Sequence, residues 1–256
     1  MGERRWLAAS RTHPGNRRPS NEDAVMACSK ESIWAVADGM GGHDAGDVAS
    51  QSIADALFPE SSESAEIRSL ADRVDWIEDR LLLVDQSLHE QAAEMGPGTV
   101  IGSTVVSLTI EGATGVALWA GDSRLYRLRN NCLEVVTRDH NPVADLLDSG
   151  AITEAEALAS DTNVITRAVG GQRPLELDVA VFDVEPSDIF LLCTDGLYRE
   201  LSSSEIIEIL QQQDLEAAAS ELVELVLSRP ARDNLSLLVL RAVSYTHLTL
   251  PTILLV

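Results

Sequence analysis

Four aspartates stand where apolar runs end or begin. Ile33-Trp34-Ala35-Val36-Ala37 leads into Asp38-Gly39, and Val116-Ala117-Leu118-Trp119-Ala120 leads into Gly121-Asp122. Ile189-Phe190-Leu191-Leu192-Cys193-Thr194 leads into Asp195-Gly196, while Asp233-Asn234 precedes Leu235-Ser236-Leu237-Leu238-Val239-Leu240. If the last run is a strand antiparallel to its neighbours, its start lies beside their ends. All four carboxylates can then gather at one edge of the sheet packing. Carboxylates held that close repel and take up protons unless a cation compensates them. Ligands made only of oxygen select magnesium or manganese over zinc. A single Asp-Gly after a strand is ordinarily a turn. Its repetition after strongly apolar runs is what points to a metal centre.

The surrounding pattern supplies the supports. Trp6 to Thr12 and Ala24 to Cys28 read as strands, with turn chemistry at His13-Pro14-Gly15-Asn16 between them. The run Ser32 to Ala37 is predicted to stop at Asp38, followed by a glycine-rich loop over Gly39-Met40-Gly41-Gly42 and a helix from Asp44 to Leu57. Glu66 to Met95 carries the strongest helix signal. Ile67, Leu70, Val74, Ile77, Leu81, Val84, Leu88, Ala92 and Met95 fall at three- and four-residue spacing, a core-facing stripe. Such a helix is roughly 45 Å long and has room for one break. Thr104 to Ile110, Thr114 to Ala120, Arg124 to Arg129 and Leu133 to Val136 read as an antiparallel meander. Asn141 to Ser149 reads as a short helix, and Ala151 to Gly171 as an irregular, mobile excursion. Strands follow at Leu175 to Phe182 and Asp188 to Cys193. Next come a helix at Ser202 to Gln213 opened by a Ser202–Glu205 capping box, a helix at Leu215 to Ser228, and a strand at Leu235 to Leu240.

Composition narrows the classes. The 256 residues suit one α+β domain, with no repeat or linker dividing it. A formal charge of −22 argues against nucleic acid or an anionic membrane as partner. No apolar run is long enough to span a bilayer, and the start is too quickly polar for a signal peptide. The three cysteines, Cys28, Cys132 and Cys193, are scattered, which predicts a reducing, cytoplasmic setting without disulfides or zinc. The catalytic domain is read as 1–242. Residues 243–256 contain no acidic residue and resemble a translated adapter tail, so they are set aside as non-native or unstructured; a native tail docked on the domain is the alternative.

The flanks of the aspartates resemble a known family, the bacterial protein phosphatases 2C. Arg18-Pro19-Ser20-Asn21-Glu22-Asp23-Ala24 is similar to its opening motif, and Val36-Ala37-Asp38-Gly39-Met40-Gly41-Gly42-His43 to its central metal loop. Gly102-Ser103-Thr104, Gly121-Asp122-Ser123-Arg124, Asp139-His140, Thr166-Arg167-Ala168-Val169-Gly170, Cys193-Thr194-Asp195-Gly196-Leu197 and Arg232-Asp233-Asn234-Leu235 resemble the remaining elements in order. Each piece alone is weak; the ordered set is specific. The resemblance extends from Trp6 to Ala242.

The resemblance implies a four-layer α/β/β/α sandwich of two antiparallel sheets flanked by helices. It implies metal-dependent hydrolysis of phosphoserine and phosphothreonine in proteins, using two Mn2+ or Mg2+ ions and a candidate third. By the same resemblance Asp38 bridges two ions, the Gly39 carbonyl binds the second, and Asp195 and Asp233 complete the first. Asp122 with Asp195 would take the third ion, Glu22 and Asp23 would hold metal-bound waters, and Arg18 would take the phosphate. Two ions lower the pKa of a bridging water and screen the phosphate, and the resulting hydroxide attacks phosphorus in line. Some relatives carry a histidine after the Asp-Gly; here Met40 stands there, so a metal-bound water is the expected proton donor and His43 a second candidate. The implied partner is a phosphorylated protein, a serine/threonine kinase or its target. The nearest resemblance is to stand-alone phosphatases opposing eukaryotic-type kinases, including those paired with type VI secretion. Two rival readings share the fold: a non-catalytic phosphoprotein-binding regulatory module, and a phosphatase for small phosphoesters.

Overall fold

A computed structural model describes residues 5–41, 45–60, 63, 67, 69–153, 156 and 164–243. The elements in chain order are β1 (Arg5–His13), β2 (Asp23–Cys28), β3 (Ile33–Gly41), α1 (Gly46–Ala56), α2 (Leu70–Met95), β4 (Ile101–Ser103), β5 (Val105–Glu111) and β6 (Thr114–Ala120). After them come β7 (Arg124–Arg129), β8 (Cys132–Val135), α3 (Pro142–Asp148), β9 (Asp178–Asp183), β10 (Ile189–Cys193), α4 (Asp195–Tyr198), α5 (Ser203–Leu210), α6 (Leu215–Leu227) and β11 (Leu235–Val243).

Strand side chains alternate between faces, and here both faces are apolar. In β3, Trp34 and Val36 enter one core while Ile33, Ala35 and Ala37 enter another. In β10, Phe190 and Leu192 face the first core and Leu191 and Cys193 a third. Two sheets follow, ordered β1-β11-β10-β7-β8 and β2-β3-β5-β6-β9, with β4 added beside β3. Their inner faces pack on each other through Trp6, Trp34, Trp119, Phe190 and Leu238. Helices α1 and α2 cover one outer face, and α5 and α6 cover the other. This is the expected four-layer sandwich of two antiparallel sheets flanked by helices.

The long helix runs unbroken for 26 residues, about 39 Å. It starts later than the apolar stripe suggests because Ser69 and Asp72 form a capping box. Its stripe buries Ile77, Leu81, Val84, Leu88 and Ala92, whereas Met95 is 52% exposed at the end. Ser202 and Glu205 cap α5 as expected.

Three expectations change. The strands from β5 to β8 are not one meander. β5–β6 is a hairpin in one sheet, and β7–β8 is a hairpin in the other. The chain crosses between them at Gly121, whose φ of +114° disfavours a side chain. The strand at Asp38 does not stop there: β3 exchanges its partner β5 for β4 and continues to Gly41, pairing Gly39 with Ser103 and Gly41 with Ile101. The strand expected from Leu175 to Phe182 begins only at Asp178, and Asp195 opens a one-turn helix, α4. Residues 42–44 with His43, most of 151–163, and 244–256 lie outside the described residues, so the expectations for them stand apart from this account. The last strand reaches Val243, paired with Arg5, one residue into the segment set aside above. Among the described residues no helix is long and apolar enough to cross a membrane.

Trp34 is fully buried between the sheets, 6.2 Å from Trp6 centroid to centroid, and its indole N–H has no hydrogen-bond partner. Trp34→Ala is expected to lower unfolding free energy by about 3–5 kcal/mol in urea titrations. Trp34→Phe should cost clearly less, since it keeps an aromatic body and removes an unsatisfied donor.

Candidate active site

The antiparallel register brings the aspartates together. β11 lies between β1 and β10, with Leu235 opposite His13 and Leu237 opposite Cys193. The start of β11, preceded by Asp233, therefore lies beside the end of β10, followed by Asp195. In the other sheet Asp23 of β2 stands opposite Asp38 of β3. A cleft of about 500 Å³ opens at this shared end, lined by Arg18, Glu22, Asp38, Asp122, Asp195 and Asp233, with Gly39, Met40, Thr104 and Ile165 also on its wall.

Backbone contacts fix the floor. The Asp38 N–H donates to Thr104 Oγ1 at 3.0 Å, and the Asp38 carbonyl accepts from the Thr104 N–H at 2.9 Å. Thr104 Oγ1 lies 2.7 Å from Ser123 Oγ, which joins the Asp38 strand to the Asp122 crossing. The Gly39 N–H donates to the Glu22 carbonyl at 3.0 Å. A Cβ on Gly39 would fall 1.9 Å from the Gly46 carbonyl oxygen, so only glycine allows α1 to come this close.

The second wall hangs on one amide. Asn234 Oδ1 accepts from the Glu22 N–H at 2.9 Å, and its Nδ2 donates to the carbonyls of Pro14 at 3.1 Å and Ser20 at 2.9 Å. This ties the 14–22 loop, which carries Arg18 and Glu22, to the strand that carries Asp233. Asp23 lies deeper, accepting from Thr194 Oγ1 at 2.9 Å through Oδ2. Tyr198 donates its hydroxyl to the Asp122 carbonyl at 3.0 Å. Arg124 grips Asp139 through two bonds of 2.8 and 2.7 Å and lies over the Tyr198 ring, 3.7 Å from its centroid. Nδ1 of His140 accepts from the Gly121 N–H at 3.1 Å and its ring stacks on Trp119, a supporting position away from the cleft.

Crowding and burial govern the charges. Burial, and then the charges of Asp23, Asp195, Asp122 and Asp233, push Asp38 well above the usual carboxylate range. Burial pushes Asp23 up to about 7, against the hydrogen bonds from Ser236 and Thr194. Asp195 is likewise pushed up to about 7 by burial and by Asp122, with Arg199 opposing. Asp122 is raised by burial and by Asp139. Two arginines offset part of this charge. Arg18 Nη2 meets Asp233 Oδ2 at 2.9 Å, and Arg199 Nε meets Asp195 Oδ2 at 2.9 Å.

Asp23 Oδ1 and Asp195 Oδ1 are buried without a hydrogen-bond partner. Orphaned acceptors inside an all-oxygen carboxylate cluster are the donor set a hard divalent cation takes. Among the described residues no three acidic or imidazole side chains are gathered tightly enough to ligate one ion as they stand. Arg18 and Arg199 hold Asp233 and Asp195 instead. The fit is therefore one of donor chemistry, and the side chains must turn before they close on an ion.

Arg18, Glu22, Asp38, Gly39, Asp122, Asp195 and Asp233 all line one cleft, and Asp23 lies against it. The sequence reading missed Asn234 as a hub, Thr194 and Ser236 as supports of Asp23, and Arg199. Only Arg199 had a readable signal: it follows Asp195 by four residues, which matters once that segment is helical.

The family model described as protein phosphatase 2C matches residues 12–236. The serine/threonine phosphatase stp of Listeria innocua is 31% identical over 236 residues, covering 90% of this chain and 94% of that protein. A solved structure described as PppA, a key regulatory component of T6SS in Pseudomonas aeruginosa, is 41% identical with a TM-score of 0.82, covering 93% of this chain and 98% of that one. The catalytic domain of the serine/threonine protein phosphatase PstP, in complex with two manganese ions, is 32% identical with a TM-score of 0.80, covering 94% of this chain and all of that one.

The raised acidity has a measurable sign. Asp195 keeps its proton to about 7 when folded, against about 4 when unfolded. The folded state then binds more protons across that window, so this group's contribution to stability falls as pH rises through it. In chelator, Asp195→Asn should unfold at higher urea than the wild type near pH ~7.5 and lose that advantage near pH ~4.5.

Proposed function

The chain belongs to the protein phosphatase 2C family, and on that premise we propose how its own residues carry out the family's reaction. It is a metal-dependent serine/threonine protein phosphatase that uses manganese or magnesium. The observation that carries the site assignment is the convergence of Asp38, Asp122, Asp195, Asp233 and Arg18 on one cleft from separate strands and loops. In this reading Asp38, the Gly39 carbonyl, Asp195 and Asp233 would hold two ions, and Asp122 with Asp195 would form the candidate pair for a third. Bound there, such ions acidify a water and screen the charge of the phosphate.

The chain's own groups do the rest. Arg18 leaves Asp233 and takes phosphate oxygens, for which a planar, permanently charged guanidinium is suited. It is 52% exposed at its side chain, so the switch of partner needs little rearrangement. Thr104 and Ser123 hold the Asp38 backbone in place, which keeps the reacting centre within the narrow geometry such chemistry requires. Glu22 and Asp23 orient water from behind the ligands. Met40, on the cleft wall, cannot transfer a proton, so protonation of the leaving alkoxide falls to water, with His43 the second candidate.

The substrate is a phosphorylated protein. We assign the finer partner as a serine/threonine kinase or its target; the 41% identity to a Pseudomonas protein described as a regulatory component of T6SS supports a secretion-linked setting.

Manganese-dependent hydrolysis of p-nitrophenyl phosphate and of a phosphothreonine peptide tests the assignment. Asp38→Asn should abolish turnover of both at saturating manganese. Arg18→Ala should raise KM for the peptide about tenfold or more while lowering kcat less. Full activity in Asp38→Asn would refute the assignment.

A further inference from the structure

We propose that Arg199 is the resident counter-charge of the Asp122–Asp195 pair and weakens that pair's hold on a divalent cation. The inference rests on the metal-dependent reading above and concerns how many ions the chain keeps.

The two oxygens of Asp195 are in different situations. Oδ2 is ion-paired with Arg199, 2.9 Å from its Nε, whereas Oδ1 is buried and has no hydrogen-bond partner. The carboxylate is thus divided, one oxygen open to an ion shared with Asp38 and Asp233, the other committed to the guanidinium. Arg199 also reaches Asp122, with Nη2 3.8 Å from Oδ2. One guanidinium therefore spans both acids of the pair.

This placement is built into the local fold. Asp195 opens α4, and Arg199 follows it by one helical turn, which puts both on the same face. Tyr198 anchors that turn through its hydroxyl to the Asp122 carbonyl and lies under Arg124. Arg124 is itself fixed by Asp139. Arg199 has its side chain only 32% exposed, so its charge is poorly screened at this position. A cation between Asp122 and Asp195 would have to displace the guanidinium or sit beside it. At a separation of about 4 Å in partly buried surroundings that repulsion exceeds a factor of ten in affinity.

The test is a manganese-binding isotherm, measured by equilibrium dialysis with manganese alone, on full-length wild type, Arg199→Gln, Arg199→Ala and Arg199→Lys. Wild-type stoichiometry reads the two-ion assignment. The difference between variant and wild type reads Arg199, whatever the wild-type count. Arg199→Gln and Arg199→Ala should bind one more manganese, at least about tenfold tighter than any further site of the wild type. Arg199→Lys, which keeps the charge, should stay close to wild type. Adding Asp122→Asn to Arg199→Gln should remove the extra ion. Circular dichroism melts confirm that each variant is folded, and Arg199→Gln, close in size to the native side chain, serves if Arg199→Ala is not. Isotherms of Arg199→Gln and wild type that superimpose would overturn the proposal, as would an extra ion that survives Asp122→Asn.

Discussion

Mutual repulsion among carboxylates is the constraint on which the rest of this molecule turns. Burial, and then the charges of their neighbours, holds Asp23, Asp38 and Asp195 above the usual carboxylate range within a single partly buried cleft that Asp122 and Asp233 share. Nothing local would bring them there, since they are spread over more than 200 residues. The sandwich does so by force of its apolar cores, whose strands carry the acids at their ends. Stability of the layers and tension at the site thus come from the same strands. Arginines take part of the load: Arg18 at Asp233 and Arg199 at Asp195 lie on the cleft side, while Arg124 at Asp139 stiffens the support behind.

The polar scaffold around the cleft serves geometry more than affinity. Thr104, Ser123 and Asn234 make almost all their contacts with backbone or with each other. They link the two sheets where the inter-sheet core gives way to the charged cleft. Thr194 does the same for Asp23 through its hydroxyl, which also accepts from the Ser236 N–H at 2.9 Å. Hydroxyls and an amide suit this work, because they satisfy buried backbone groups without adding to the net charge.

Much of this could be read from the chain alone. Alternating apolar residues located the strands, and the acids after Ala37, Gly121 and Thr194 and before Leu235 marked the shared end. The crossing after β6 could not be read, because a hairpin within one sheet and a step between two sheets have the same local pattern; only Gly121 hints at the sharper turn. The continuation of β3 past Asp38 was hidden for a different reason. A run of glycines looks like loop, yet Gly39 and Gly41 keep extended backbone by pairing with β4. Asn234 was legible as part of a motif but not as a hub, since its partners Pro14, Ser20 and Glu22 are more than 200 residues away in sequence.

The order of strands in the first sheet has a consequence for how the molecule comes into being. Among the described residues β1 pairs only with β11, which also completes the sheet beside β10. The earliest described strand therefore waits, edge unsatisfied, for the last described one to leave the ribosome, roughly 10–50 s later at ordinary elongation rates. Until then Asp233 and Asn234 are absent from the cleft and the 14–22 loop has nothing to close against. The cleft is complete only once β11 has been made, so a nascent fragment that lacks this strand has no Asp233 at the site.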